Sequence, residues 1–141
     1  MIVKYEPEHA YQILEDNNNP DLEVFKEQAV VLSKSEGGMT LMVNDAPMLC
    51  TGTIELWDKV AEAWLIVSNR IHETPLSIAR KIKRGMLLHF ETKKYERVQA
   101  NVRADWPVAL RFAKFCDFER EGYMKKFGPE GADYVRFAWV Q

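Results

Sequence analysis

The sequence predicts a mixed α/β domain, of the α/β or α+β type, built around one sheet of about seven strands. The chain has 141 residues, 47% of them hydrophobic, and this size and composition are typical of a single domain, here residues 1–141. No repeat, low-complexity segment or long linker interrupts the sequence. The hydrophobic pattern alternates between helical and extended periodicity, and it predicts the element order β-α-α-β-β-β-α-β-α-β-β.

The N-terminal half is predicted to contain one strand, two helices and then three strands. Residues 2–5 form a short apolar strand, and Pro7 opens a helix that ends in the polar run at 16–20. Asp21 is the expected N-cap of a second helix. The apolar residues of that helix recur at helical spacing and are Leu22, Phe25, Ala29 and Leu32. Residues 35–38 break that pattern, and strands follow at 39–43, 48–56 and 60–67, joined by turns short enough for hairpins.

The C-terminal half is predicted to open with a long amphipathic helix at 75–94. Thr74 is the expected N-cap and Pro75 the first helical residue, where the N–H that proline lacks would have no intrahelical partner. One side of this helix is apolar and has Leu76, Ala79, Ile82, Met86 and Phe90. A strand at 98–102, a helix at 107–115 and a closing hairpin of strands at 118–127 and 133–140 complete the prediction.

The composition excludes several classes of protein. Cys50 and Cys116 are too few for a disulfide framework. His9 and His89 lie far apart in predicted helices with no Glu or Cys at ligand spacing, so no metal site is expected. No export signal and no long apolar run are present, which predicts a cytoplasmic protein without a membrane span. No aromatic residues interleave with the basic ones, so nucleic acid is not expected as a partner.

The charge is divided unevenly between the two halves of the chain. The net charge is -2, but residues 1–70 hold 5 basic and 12 acidic side chains, whereas residues 71–141 hold 14 and 9. The positive half either faces an anionic ligand or neutralises the acidic half.

A segment near the C-terminus carries a family resemblance. Arg111-Phe112-Ala113-Lys114-Phe115-Cys116-Asp117-Phe118-Glu119-Arg120-Glu121-Gly122 resembles the R-L-Y-E-K-L-G-F-E-R-E-G segment of the GNAT family of acyl-CoA-dependent N-acetyltransferases. The predicted element order resembles that family over nearly the whole chain. Segments 64–68, 79–84 and 110–114 are similar to small GNAT-like proteins of short-tailed bacteriophages, some of which are internal virion proteins. The resemblance implies a GNAT fold, a phage or host protein as a partner, and a location in the host cytoplasm or the virion.

The resemblance also implies a cofactor site. In the GNAT family, acyl-CoA lies between the fourth and fifth strands, and its pyrophosphate contacts the loop that opens the next helix. The corresponding residues here are Ile66, Val67, Ser68, Arg70, His72, Thr74 and Ser77, with Arg80, Lys81, Arg111 and Lys114 expected at the mouth of the cleft. The alternative for His72 is a solvated loop histidine, and the alternative for the basic residues is a solvated face.

A glutamate of the fourth strand is the expected catalytic base. Acetyl transfer requires a group that takes a proton from the acceptor amine, and the resemblance implies Glu62 in this role. Glu55, near the end of the preceding strand, is the second candidate. For both residues the alternative is an exposed charge near a strand end.

The sequence departs from the family pattern in the cofactor loop, the acid and the residue before the last helix. The loop at 69–78 has no glycine and includes Glu73, whose charge opposes a phosphate. Ala113 stands where many family members have a tyrosine that acts as the acid, and Asp105 or Trp106 replaces a family asparagine. These departures predict weak or lost acetyl-CoA binding.

Two functions follow from this pattern. One is an acetyl-CoA-dependent N-acetyltransferase-like phage protein with a degenerate pyrophosphate loop, which would bind an acyl-CoA and an amine acceptor. The other is a non-catalytic GNAT-fold virion or interaction protein. In that case Trp57, Trp64 and Trp106, or the aromatic residues of the closing hairpin, are expected to fill the cleft or to form an exposed apolar patch.

Overall fold

The structure, a computed structural model, describes residues 1–20 and 22–141, so the cap expected at Asp21 lies outside the described residues. The strands are β1 (Ile2–Lys4), β2 (Glu36–Val43), β3 (Ala46–Trp57), β4 (Val60–Val67), β5 (Arg97–Arg103), β6 (Glu119–Met124) and β7 (Tyr134–Val140). The helices are α1 (Pro7–Asp16), α2 (Leu22–Leu32), α3 (Leu76–Thr92) and α4 (Pro107–Phe115), with 3₁₀ turns at Ile71–Glu73 and Pro129–Gly131. Apart from these short turns, the elements follow the predicted order.

The strands form one mixed sheet in the order β1-β2-β3-β4-β5-β7-β6. β4 and β5 are parallel, and the other neighbouring pairs are antiparallel. A parallel pair needs a crossover connection, and α3 lies in that connection. The predicted mixed fold with seven strands is therefore confirmed, and β1 and β6 are its edge strands.

The parallel pair is short. Val60 lies opposite Arg97, Ala61 opposite Val98 and Glu62 opposite Gln99. In the described part of the chain, β4 and β5 pair through these three residue pairs. β4 then continues to Val67 and β5 to Arg103 without pairing with each other, although β4 still pairs with β3 and β5 with β7. A wedge-shaped gap consequently opens between the carboxyl ends of β4 and β5.

Helices cover both faces of the sheet. Alternate residues of β4, such as Ala61 and Ala63, belong to the larger core, which also contains buried residues of α3 and α4. Ile66 and Trp64 point the other way and pack with α1 and α2. The even-numbered residues of β4, Glu62 among them, therefore face α1 and α2.

Two predicted boundaries are wrong. α3 begins at Leu76, and its N-cap residue is Pro75 rather than Thr74, because Pro75 has an extended ψ of 140°. The Thr74 N–H instead donates to the Ile71 carbonyl oxygen at 3.0 Å and closes the preceding 3₁₀ turn. β2 begins at Glu36, earlier than expected, because Gly37 adopts a φ of 64° in an irregular stretch of the β2–β3 pairing. The remaining boundaries agree to within a few residues.

Trp64 joins the sheet to the N-terminal segment through close contacts. Its Nε1 donates to the Ser35 Oγ at 2.9 Å, and its ring meets the Tyr5 ring edge-on with centroids 4.8 Å apart. Gly52 lies opposite Trp64 on β3. A Cβ at Gly52 would lie 2.7 Å from the Trp64 Cζ2, so the indole occupies the space of a missing side chain.

We expect Gly52→Ala to lower the free energy of unfolding by about 1–3 kcal/mol, because the added methyl group forces the Trp64 ring out of its position. Gly85→Ala is the matched control: Gly85 lies within α3, and a Cβ at this position would meet nothing within 4 Å, so alanine should stabilise the helix by about 0.5–1 kcal/mol. Urea unfolding measures both variants. Equal stabilities of the two variants would contradict this account of the packing.

His89 connects α3 to β2 and β3. Its Nε2 lies 2.9 Å from the Thr53 Oγ1, and its ring packs against Gly37. The pKa of His89 is lowered, chiefly by burial and further by the positive charge of Lys93, whereas Glu36 opposes the shift. Lys93 and Glu36 also form an ion pair with each other.

This shift makes the stability of the fold depend on pH. Between the lowered pKa of the folded protein and the ordinary histidine value near about 6.5, the unfolded chain binds more protons at residue 89, so stability falls as the pH falls. We expect the melting temperature to decrease from about pH 7.5 to about pH 5.5 in the wild-type protein, and less steeply in His89→Gln. Thermal unfolding followed by circular dichroism measures the two slopes, and identical slopes would refute the role given to His89.

Candidate functional site

The gap between β4 and β5 is narrow on both faces of the sheet. On the face of α1 and α2 it forms a cavity of about 60 Å³ that reaches from Leu65 and Ile66 on β4 to Asn101 on β5. On the face of α3 and α4 the cavity is about 10 Å³ and is lined by Ala113 and Cys116 among others. The strands separate as a cofactor cleft requires, but little space lies between them.

A larger cavity of about 500 Å³ adjoins the gap on the face of α1 and α2. Its walls come from α2, from β4 and from the loop between β6 and β7. Apolar side chains dominate these walls and include Phe25, Val31, Leu32, Leu65 and Phe127, whereas Glu62, Asn101 and Gln28 supply polar groups. A mostly apolar cavity of this size with a few polar groups is typical of a small-molecule site.

Glu62 is held in this cavity by two side-chain amides. The Glu62 Oε1 accepts hydrogen bonds from the Gln99 Nε2 at 3.3 Å and from the Asn101 Nδ2 at 3.1 Å. Asn101 lies beyond the last residue of β5 that pairs with β4. The side chains therefore bridge the two strands where the backbone pairing stops.

Further polar side chains extend this network across β5 and β7. The Arg136 Nε donates to the Asn101 Oδ1 at 3.1 Å, which orients the Asn101 amide so that its NH₂ group faces Glu62. Arg97 donates to the Gln99 Oε1 and forms an ion pair with Glu121. The sequence interpretation missed these residues. The signal was present in β5, where Arg97, Gln99, Asn101 and Arg103 alternate with buried Val98, Ala100 and Val102.

Glu55, the second candidate base, lies elsewhere. It pairs with Ala61, whereas its neighbour Ile54 lies opposite Glu62 and lines the large cavity. Successive residues of a strand point to opposite faces. Glu55 therefore points away from the large cavity, and its carboxylate lies at the exposed end of β3.

The end of β4 and the loop after it satisfy their own hydrogen bonds. The Asn17 side chain accepts from the Asn69 N–H and donates to the Val67 carbonyl oxygen, both at 2.9 Å. The Ser68 N–H donates to the Met48 carbonyl oxygen, and the Ser68 side chain accepts from the Arg70 N–H. The N–H groups of Ile71, Glu73 and Thr74 also donate within the loop. The backbone N–H groups of Asn69, Arg70, Ile71, Glu73 and Thr74 are thus already in use.

The side chains of this loop are also engaged. Arg70 forms a two-pronged ion pair with Glu73, with contacts of 2.8 and 3.2 Å, and this contact lowers the pKa of the Glu73 carboxyl. The His72 Nδ1 lies 3.1 Å from the Asn69 carbonyl oxygen. The Thr74 Oγ1 is buried without a hydrogen-bond partner among the described residues. Ser77 is exposed in the first turn of α3.

Trp106 lies across the opening of the gap. It is the N-cap residue of α4, its Nε1 donates to the Asn69 Oδ1 at 3.1 Å, and its ring packs against the cores on both faces of the sheet. Asn69 also bonds to Asn17, so a chain of side chains runs from the end of α1 past the end of β4 to the start of α4. We name Asn17, Asn69 and Trp106 the cleft bridge.

The basic residues expected at the cleft mouth lie on the outer surface of α3 and α4. Arg80, Lys81, Arg111 and Lys114 are exposed and line none of the three cavities described above.

The remaining candidate chemistry is limited. Burial raises the pKa of the Cys50 thiol and of the Cys116 thiol to about 12, so neither is a nucleophile near neutral pH. Within residues 1–20 and 22–141, His, Cys, Asp and Glu form no group of three or more that is suited to a metal ion. Of the helices in this range, none has the length and apolar character needed to cross a bilayer.

Several solved structures with this architecture are acetyltransferases. The chain superimposes on Ard1 from Thermoplasma volcanium with a TM-score of 0.74 and 14% identity, covering 99% of this chain and 96% of that one. It superimposes on a GNAT-family acetyltransferase from Bacillus anthracis with a TM-score of 0.68 and 13% identity, covering 99% of this chain and 93% of that one. It superimposes on the ribosomal-protein-S18-alanine N-acetyltransferase from Escherichia coli with a TM-score of 0.67 and 15% identity, covering 99% of this chain and 92% of that one. No protein-family model matches the sequence, and no curated protein is significantly similar to it. The chain therefore has the GNAT fold.

Proposed function

We propose that this protein is an N-acetyltransferase-like protein that keeps the amine site of its fold and binds acyl-CoA weakly or not at all. The observation that carries the proposal is the position of Glu62, which lies in a large apolar cavity at the point where β4 and β5 separate. Several of the similar structures are N-acetyltransferases, which favours an amine as the ligand of this cavity.

The residues near the gap do not fit acyl-CoA well. Acyl-CoA supplies an acyl group activated as a thioester, and its phosphates need free donors. The backbone N–H groups of Asn69, Arg70, Ile71, Glu73 and Thr74 already have partners. Glu73 also neutralises Arg70, and the gap holds about 60 Å³. The contacts that remain for acyl-CoA are Ile66, Val67 and Ser68 at the end of β4, His72, Thr74 and Ser77, and the exposed cations Arg80, Lys81, Arg111 and Lys114.

Glu62 is suited to proton transfer. Two neutral amides hold its Oε1, and no described residue donates a hydrogen bond to its Oε2. An amine in the cavity would find there a fixed carboxylate able to accept its proton, which is the geometric requirement of a general base.

The second candidate is a non-catalytic interaction protein, and the cleft bridge favours it. The Trp106 indole occupies the opening through which a cofactor would enter, and Trp57 is 67% exposed at the tip of the β3–β4 hairpin. In this candidate the protein comes from a bacteriophage, as the similarity of segments 64–68, 79–84 and 110–114 to phage GNAT-like proteins suggests. It would then lie in the host cytoplasm or in the virion. Mass spectrometry of purified phage particles tests that context.

We expect Glu73→Gly to tighten acetyl-CoA binding, because the substitution frees Arg70 and removes a carboxylate from the phosphate position. The wild-type Kd should exceed about 10 μM, since a missing charge-assisted hydrogen bond to an anion costs about 1.5–3 kcal/mol, or roughly 10- to 150-fold. Calorimetry with acetyl-CoA and desulfo-CoA gives both constants.

Glu73→Gln is the control for this measurement. This substitution removes the charge but keeps the size of the side chain. If both variants bind acetyl-CoA more tightly than the wild-type protein, the gain in affinity is electrostatic. If only the glycine variant does, the gain comes from the backbone. Submicromolar binding by the wild-type protein would show that the occupied loop is no obstacle, and the proposal of weak binding would be wrong.

Acetyl transfer to a panel of amines should be slow or undetectable. Where a rate is measured, we expect Glu62→Gln to reduce it by about 10²- to 10⁴-fold, the usual contribution of a general base. Glu55→Gln is the comparison, because that carboxylate points away from the cavity. A rate that depends on Glu55 and not on Glu62 would overturn the choice of base, and rapid transfer by the wild-type protein would exclude the non-catalytic candidate.

A further inference from the structure

We propose that the cavity beside Glu62 selects a primary ammonium group carried on a single large apolar body, as in an arylalkylamine, over amines with several charges. The proposal rests on the proposed function in treating this cavity as an amine site, and it adds the chemical class of the amine. Three features of the cavity support it: an unpaired carboxylate, apolar walls and a rim held in place.

The carboxylate of Glu62 has no cationic partner in the described structure. Its two donors, Gln99 and Asn101, are neutral amides, and the nearby guanidinium of Arg136 is directed to the Asn101 oxygen. A half-buried carboxylate without a counter-charge is stabilised by a ligand that brings one. A primary ammonium group supplies that charge together with several donors.

Among the described residues that line the cavity, Glu62 is the only acidic one. The other polar side-chain groups among the described lining residues are the amides of Gln28 and Asn101, the Tyr134 hydroxyl and the Trp64 indole N–H, which donates to Ser35. A second ammonium group of a polyamine would enter mostly apolar surroundings without a second carboxylate among these residues, which is costly. An aromatic or branched aliphatic body would instead bury apolar surface against Phe25, Leu32 and Leu65.

The outer rim of the cavity is fixed by its own packing. The Phe127 ring meets the Tyr134 ring with centroids 5.6 Å apart, and a Cβ at Gly128 would lie 2.1 Å from the Tyr134 Cε1. Asp133 accepts hydrogen bonds from the Tyr123 hydroxyl and from the Lys126 N–H. The rim remains apolar and open to solvent, since Val31 is 63% and Phe127 is 52% exposed.

The test is a binding measurement that needs no acyl donor. Four probes separate the features: 2-phenylethylamine has both the ammonium group and the apolar body, ethylamine lacks the body, 2-phenylethanol lacks the charge, and spermidine carries several charges. Calorimetry gives the affinities, and the side-chain amide signals of Gln99 and Asn101 in a nitrogen-proton correlation spectrum report binding at Glu62. A short peptide with an N-terminal phenylalanine shows whether the amine can come from a peptide.

We expect 2-phenylethylamine to bind at least about tenfold more tightly than the other three small probes and to shift both amide signals. Glu62→Gln should weaken its binding by about 10- to 150-fold, the range for a charge-assisted hydrogen bond. Phe127→Ala should weaken it by about threefold or more through lost apolar contact. Leu88→Ala is the matched control, because Leu88 on α3 is similarly exposed, at 59%, and lies outside the cavity.

Failure of this inference can be told apart from failure of the proposed function. If spermidine binds as tightly as 2-phenylethylamine, or if Glu62→Gln leaves the affinity unchanged, the ligand class is wrong even where acetyl transfer occurs. If 2-phenylethylamine binds as expected but the wild-type protein binds acetyl-CoA with a submicromolar Kd, the ligand class stands and the proposed function, with its weak or lost acyl-CoA binding, fails. The absence of binding by every amine probe would overturn the inference.

Discussion

The separation of β4 and β5 after three register pairs is the constraint on which the rest of the structure depends. Parallel strands in the middle of a sheet normally bond to each other along their whole length, and here the backbone groups beyond Glu62 lack that partner. Side chains replace the missing ladder. Asn101 and Gln99 reach across to Glu62 near the branch point, and Trp106 and Asn69 join the far ends. A cavity can therefore exist within the sheet without leaving the sheet open.

The loop after β4 shows how backbone groups near a helix start can be satisfied within the protein itself. Glycines permit close approach of a phosphate, but they also leave N–H groups without partners. In this chain the loop folds on itself through a 3₁₀ turn, and Asn17 from the end of α1 bonds to the backbone at Val67 and Asn69. The loop N–H groups with these partners thus stabilise the fold, and an incoming anion would have to compete with hydrogen bonds that already exist.

The sequence predicted the order of the elements and most of their boundaries, because hydrophobic periodicity and turn residues are local signals. Glu62 was singled out by the family resemblance, and its role as the base stays a prediction. The distinction between Glu62 and Glu55 needed the hairpin register, in which Ile54 and not Glu55 lies opposite Glu62. The cleft bridge could not be predicted from the sequence, because Asn17 and Asn69 are 52 residues apart and no local pattern indicates their contact. The alternation of β5 was readable and was overlooked.

The two edge strands limit how copies of this chain can associate. Exposed strand edges invite pairing with other strands, and short edges, charges and bulges discourage it. β1 has three residues, and β6 begins with three charged residues followed by a register shift before Gly122. Growth of the sheet from one molecule to the next is therefore disfavoured at both edges. The protein should stay free of strand-mediated aggregates at high concentration, and contacts between copies should be made by helix faces and loops.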